Sequence, residues 1–265
     1  MINQNDNYSL FTENSSLELA VFSSVGGRPD QQDSSGYDMD DEGLITVVCD
    51  GMGGHDGGKL ASSLAVSEML ELYAGRDASK PEADMLMDSA ELIDSHVAGL
   101  SFPDGTRMQA GTTIVCAAVR QGRLHYLSVG DSRIYLLRNG ELSCLTTDHN
   151  YFTKLRTDYL NGRLSAAQYE AEASKGEALV SFLGVGGLSM IDCNHTPIEL
   201  LPEDRLLLTT DGLYKLLEDN DIREILEGFT NISDALQAFE MKARRISSHS
   251  GIARDNMTAA IIKVK

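Results

Sequence analysis

The run LITVVC at positions 44–49 constrains the fold of this chain more than any other feature. Six consecutive apolar or β-branched residues suit a strand covered on both faces, since a half-exposed strand would alternate apolar with polar side chains. Such a strand needs one layer above it and another below, so a layered fold of strands and helices is expected rather than a surface hairpin. Asp50-Gly51 closes the run.

The same ending recurs. Gly130-Asp131 follows LHYLSV at 124–129, Asp211-Gly212 follows LLLTT at 206–210, and Asp255 stands just before TAAIIKV at 258–264. A single aspartate beside a glycine is usually a turn residue that accepts from nearby amides, but four in this setting point to carboxylates converging at strand ends. Magnesium and manganese prefer carboxylate, carbonyl and water oxygens, whereas a tetrahedral zinc site would want Cys or His. The candidate is an oxygen-ligated Mg or Mn centre. Between Asp50 and Gly58, five glycines in nine residues let the backbone approach an ion closely and adopt positive φ. His55 sits within that stretch. A lone histidine is usually unremarkable, but one five residues from a ligand candidate, with an ordinary pKa of about 6.5, can protonate a leaving alkoxide.

Apolar residues recur at helical spacing over 59–73, and Leu86, Ala90, Ile93, Val97 and Leu100 step by four, three, four and three. Both segments are predicted as amphipathic helices. TTIVCAAV (112–119), RLHYLSV (123–129) and RIYLLR (133–138) then predict an antiparallel meander, with Gln121-Gly122 as its first turn and Asn139-Gly140 as a type I′ turn after the third strand. Residues 150–187 are charged, rich in small side chains and end in glycines, so a mobile excursion is expected there. Strand 206–210, a helix after Asp211, another over 233–246 and a last strand complete the order. Strands, two helices, strands, two helices and a strand point to an α+β sandwich of two mostly antiparallel sheets with helices outside. With no linker or repeat visible, residues 1–265 are expected to form one domain.

Composition narrows the partners. The chain carries 22 Lys and Arg against 40 Asp and Glu, a net charge of −18 that repels nucleic acid and anionic membranes. Cys49, Cys116, Cys144 and Cys193 lie far apart, without zinc-ligand spacing, and two fall inside apolar runs. That usage fits a reducing compartment, and no signal peptide or span-length apolar run is seen, so a cytoplasmic location without membrane attachment is expected.

The ordered motifs RPDQQD (28–33), VVCDGMGGH (47–55), GTT (111–113), VGDSRIYLLRNGEL (129–142), LTTDH (145–149), LLLTTDGL (206–213) and DNMT (255–258) resemble the metal-dependent protein phosphatases of the protein phosphatase 2C type. The resemblance covers nearly the whole chain. It implies hydrolysis of phosphoserine and phosphothreonine in proteins by water activated between two Mn or Mg ions. Asp50 would bridge the ions, the Gly51 carbonyl would join one of them, and Asp211 and Asp255 would complete the other. Asp33 would support the cluster directly or through water, Asp131 would help hold a third, weaker ion, Arg28 would clamp the phosphate, and His55 would be the general acid. Phosphorylated proteins made by a Ser/Thr kinase encoded elsewhere are the implied substrates, and a monomer is expected.

Two departures from the family pattern stand out. Gln31-Gln32 replaces the common Asn followed by Glu or Gln, which predicts weaker binding of the second ion. Residues 150–187 occupy the place of the family's variable flap, and Ser181-Phe182-Leu183-Gly184 replaces the more usual Arg-containing sequence there. Two rival readings are a catalytically silent phosphopeptide-binding module of the same fold and a hydrolase of small phosphate esters.

Overall fold

The computed structural model describes residues 2–3, 7–54 and 56–265, excluding the side chains of the first two. All seven residues of strand Gly43–Cys49 are buried. The strand lies inside a sheet ordered Ile2–Asn3, Ser34–Met39, Gly43–Cys49, Ile114–Arg120, Arg123–Val129 and Asp192–Cys193, with Ile198–Glu199 also paired to Arg123–Val129. A second sheet runs Glu141–Cys144, Arg133–Arg138, Arg205–Thr209, Met257–Val264, Leu17–Ser24 and Asn7–Glu13. The pairings within both sheets are antiparallel.

The two-residue period of each strand divides its side chains between two cores. Leu44 and Val48 face the second sheet and meet Leu206, Leu208, Ala260 and Ile262, while Ile45, Val47 and Cys49 face helices. Helices Gly57–Ala74 and Glu82–Ala98 cover that outer face with Ala61, Ala65, Met69, Leu86 and Ile93. Across the molecule Leu207, Ala259 and Ile261 pack on helices Asp219–Gly228 and Ile232–Ser250 through Ile222, Leu236 and Phe239. Each fully buried Leu or Ile contributes roughly 1.5–3 kcal/mol, so these three layers of contact hold the sandwich together. The expected helix–sheet–sheet–helix arrangement is observed.

The predicted meander is not. Ile114–Arg120 and Arg123–Val129 do form a hairpin through Gln121 and Gly122, both at positive φ. The third strand, Arg133–Arg138, belongs to the opposite sheet. The chain leaves the first sheet at Gly130, where φ is +112° and a Cβ would lie 2.6 Å from Thr113 Cγ2, so only glycine permits the crossing. Beyond it, Asn139 and Gly140, at φ +51° and +81°, make the predicted tight hairpin with Arg138 opposite Glu141.

Residues 150–187 contain more regular structure than expected: helices Tyr151–Leu160 and Ala166–Glu172 and a short turn at Ala173–Lys175. Asn150 caps the first helix and a Ser165–Gln168 capping box starts the second. Their apolar periodicity is weak because only Leu155 of the first is buried and nothing of the second. Among the described residues no helix is long and apolar enough to cross a membrane.

Candidate metal and phosphate site

Asp50 leaves the first sheet at the end of Gly43–Cys49 with its backbone held on both sides. Its N–H donates to Thr113 Oγ1 at 3.0 Å, and its carbonyl accepts from Thr112 Oγ1 at 2.8 Å and from the Thr113 N–H at 2.9 Å. Asp211 opens the helical turn Asp211–Tyr214 directly after strand Arg205–Thr209 of the second sheet. Asp255 precedes Met257–Val264, and Asp33 precedes Ser34–Met39. The two sheets therefore direct acidic residues from neighbouring strand ends into one place. A cavity of about 430 Å³ opens there, lined by Arg28, Gln32, Asp50, Gly51, Asp211 and Asp255 among others.

Asp33 and Asp131 are buried and are not part of the cavity lining. Asp33 Oδ2 accepts from Thr210 Oγ1 at 2.9 Å, while its Oδ1 is buried with no hydrogen-bond partner among the described residues. Asp131 lies at the crossing between the sheets, and its carbonyl accepts from the Tyr214 hydroxyl. Gly51 is packed so closely that a Cβ would lie 2.2 Å from the Gly58 carbonyl oxygen and 2.4 Å from that of Gln32. A backbone carbonyl is thus all that this position can present. His55 lies outside the described residues.

These carboxyls resist ionisation. Burial, reinforced by Asp33, Asp211 and Asp131, holds Asp50 well above the usual carboxylate range. Burial raises Asp33 to about 7 in spite of hydrogen bonds from Thr258 and Thr210, and raises Asp131 to about 6 with help from Asp211. Two cations answer part of the charge. Lys215 Nζ lies 2.8 Å from Asp211 Oδ2, and Arg28 Nη2 lies 2.5 Å from Asp255 Oδ2. With Asp211 and Asp255 turned to these partners, no three His, Cys, Asp or Glu side chains among the described residues form a closed ligand set. Crowded anions, an orphaned buried oxygen at Asp33 and an all-oxygen donor set nevertheless fit a hard divalent cation.

Two residues not singled out from the sequence, Asn256 and Lys215, hold this arrangement in place. Asn256 Nδ2 donates to the carbonyls of Val25 and Asp30, and its Oδ1 accepts from the Gln32 N–H, which ties the Arg28 loop to the Asp255 loop. Its signal was its place in DNMT. Lys215 was signalled only by its i,i+4 spacing from Asp211.

A sequence model described as Protein phosphatase 2C matches residues 26–245. The chain belongs to the protein phosphatase 2C family. Its relatives include the serine/threonine phosphatase stp of Listeria monocytogenes, 30% identical over 241 residues that cover 89% of this chain and 91% of the relative. Among solved structures, the Mycobacterium tuberculosis serine/threonine phosphatase PstP/Ppp is 25% identical with a TM-score of 0.75, covering 94% of this chain and 99% of that one. The catalytic domain of PstP in complex with two manganese ions is 26% identical with a TM-score of 0.71, covering 94% and 98%. As a protein phosphatase 2C family member, this chain is a protein phosphatase, and its acidic cavity lies at strand ends of both sheets.

Proposed function

We propose that the chain hydrolyses phosphoserine and phosphothreonine in proteins with two Mn or Mg ions held in the acidic cavity. The observation that carries this reading is the convergence of Asp50, Asp211 and Asp255 on a cavity that Arg28 also lines. Asp50, the Gly51 carbonyl, Asp211 and Asp255 would hold the ions, Asp33 would support them directly or through water, and Asp131 would serve a third, weaker site. When bound, such ions supply a nucleophile from water at neutral pH and neutralise charge on phosphoryl oxygens. The relatives named as serine/threonine phosphatases and the manganese complex of PstP support the substrate class and the metal.

The chain's own side chains do the rest. Arg28 is 58% exposed and Asp255 39% exposed, so their ion pair contributes at most about 1 kcal/mol and yields readily to a phosphate. Once released, the guanidinium offers paired donors to two phosphoryl oxygens. Gln32 presents an amide instead of a carboxylate on the same wall, which fits weaker holding of the second ion. His55, on the glycine-rich stretch after Asp50, is assigned as the proton donor to the departing Ser or Thr oxygen. Residues 1–265 are read as one catalytic domain with 150–187 as its flap, acting in the cytoplasm as a monomer on products of a Ser/Thr kinase.

Purified protein assayed on a phosphothreonine peptide with Mn, and again with excess chelator, tests this reading. Metal-dependent release of phosphate is expected. Peptide binding without release would show a silent binding module instead, and faster turnover of phosphorylated metabolites than of phosphoprotein would show a small-ester hydrolase.

A further inference from the structure

A second groove, of about 510 Å³, adjoins the acidic cavity, and Met52 and Gly53 line both. Its remaining lining includes Arg107, Met108, Gly111 and Phe182. Phe182 belongs to the segment that departs from the family pattern, and its placement is built into the fold. The next residue, Leu183, exchanges two backbone hydrogen bonds with Thr112, of 2.9 and 3.0 Å, which lays the segment along strand Ala110–Thr112. The Phe182 ring rests on Gly111, where a Cβ would lie 2.7 Å from Cδ2. Asp94, only 3% exposed on the helix behind, accepts from the N–H groups of Gly184, Gly186 and Gly187 at 2.7, 3.2 and 2.7 Å. A buried carboxylate holding three amides fixes the backbone that follows the ring.

Arg107 supplies the opposite chemistry. It is exposed, and among the described residues no ion pair or hydrogen bond engages its guanidinium. In a chain with 40 acidic residues against 22 basic ones, an uncommitted cation beside the catalytic cavity attracts negative charge to one spot.

We propose that this groove is a substrate subsite that binds the chain flanking the phosphorylated residue, taking an apolar side chain against Phe182 and an acidic side chain at Arg107. The proposal rests on the protein phosphatase reading above and names the substrate class within it. The groove and the cavity share Met52 and Gly53 as lining, so an extended peptide whose phosphate reaches Arg28 can place its flanking residues in the groove. Asp94 acts as a positioning residue by holding the wall from behind.

The test uses the full chain with Mn, a set of phosphothreonine peptides in which one acidic and one apolar residue are moved along the sequence, and p-nitrophenyl phosphate, which is too small to reach the groove. Wild-type protein is expected to prefer peptides with those residues at particular positions. Arg107→Glu should lower kcat/KM for the acidic peptides about tenfold, mainly through KM, with Arg107→Lys retaining most of the preference. Phe182→Ala should erase the apolar preference. Asp94→Asn should weaken peptide KM while leaving p-nitrophenyl phosphate turnover near the wild-type value. Unchanged peptide selectivity in the Arg107 and Phe182 variants overturns the subsite, as does a parallel loss on p-nitrophenyl phosphate. Failure of wild-type protein to hydrolyse either substrate instead overturns the underlying enzymatic reading.

Discussion

Lys215 places its ammonium 2.8 Å from Asp211 Oδ2, one helical turn after it. The contact stands in for part of the positive charge that the acidic cavity requires, and Asp131 also feels it. A divalent ion that takes Asp211 must compete with this lysine. Lys215→Gln is therefore expected to lower the Mn concentration giving half-maximal activity by several fold and to lower the thermal midpoint of the metal-free protein. A Mn titration of activity and a melt in chelator check both, and an unchanged Mn requirement would exclude competition at Asp211.

The raised carboxyls set a pH dependence of the metal-free protein. Asp33 titrates at about 7 and Asp131 at about 6 in the fold, against about 3.9 in an unfolded chain. A carboxyl with a raised native pKa binds its proton more tightly when folded, so its stabilising effect is complete below the unfolded value and is lost as pH rises through the native one. The metal-free protein should become less stable between about pH 4 and 7 from this source, and Asp33→Asn should flatten that decline. Manganese should restore more stability at neutral than at acidic pH. Thermal melts across this range, with chelator and with Mn, check the sign; stability rising with pH in the metal-free protein would contradict it.

Arg28 is exposed, and among the described residues its ion pair is with Asp255. Arg28→Ala should raise KM for a phosphothreonine peptide about tenfold, the effect of losing a charge-assisted hydrogen bond, and should move stability by less than about 0.5 kcal/mol. Steady-state kinetics beside a denaturant melt separates the two, and an unaltered KM rules out the clamp.

His55→Ala should leave metal binding largely intact and slow phosphothreonine peptide far more than p-nitrophenyl phosphate, because nitrophenolate leaves without a proton and an alkoxide does not. Isothermal titration with Mn and parallel assays on the two substrates measure this. Equal slowing of both substrates would show that His55 is not the acid.

The sandwich was legible because strand burial leaves a local trace. LITVVC is apolar or β-branched at every position since helices cover one face and a sheet the other, and the strand ends were marked by Asp50-Gly51 and Asp211-Gly212. Edge strand Asn7–Glu13 left a fainter trace, as it alternates half-buried with exposed positions, and residues 34–37 of strand Ser34–Met39 are buried despite two serines.

The sequence by itself determined the buried strands such as Gly43–Cys49 and Arg205–Thr209, the helices that cover them, where Asn139-Gly140 turns, and which aspartates stand at strand ends, because backbone preference and side-chain period act over a few residues. Only the tertiary structure decided that RIYLLR crosses to the opposite sheet, since that choice rests on Gly130 meeting Thr113, seventeen positions away. Only it showed Asn256 joining two loops and Asp94 holding Phe182's segment from ninety residues upstream. Such partners are selected by packing between distant segments, and no spacing within the chain encodes which buried amide a carboxylate will meet.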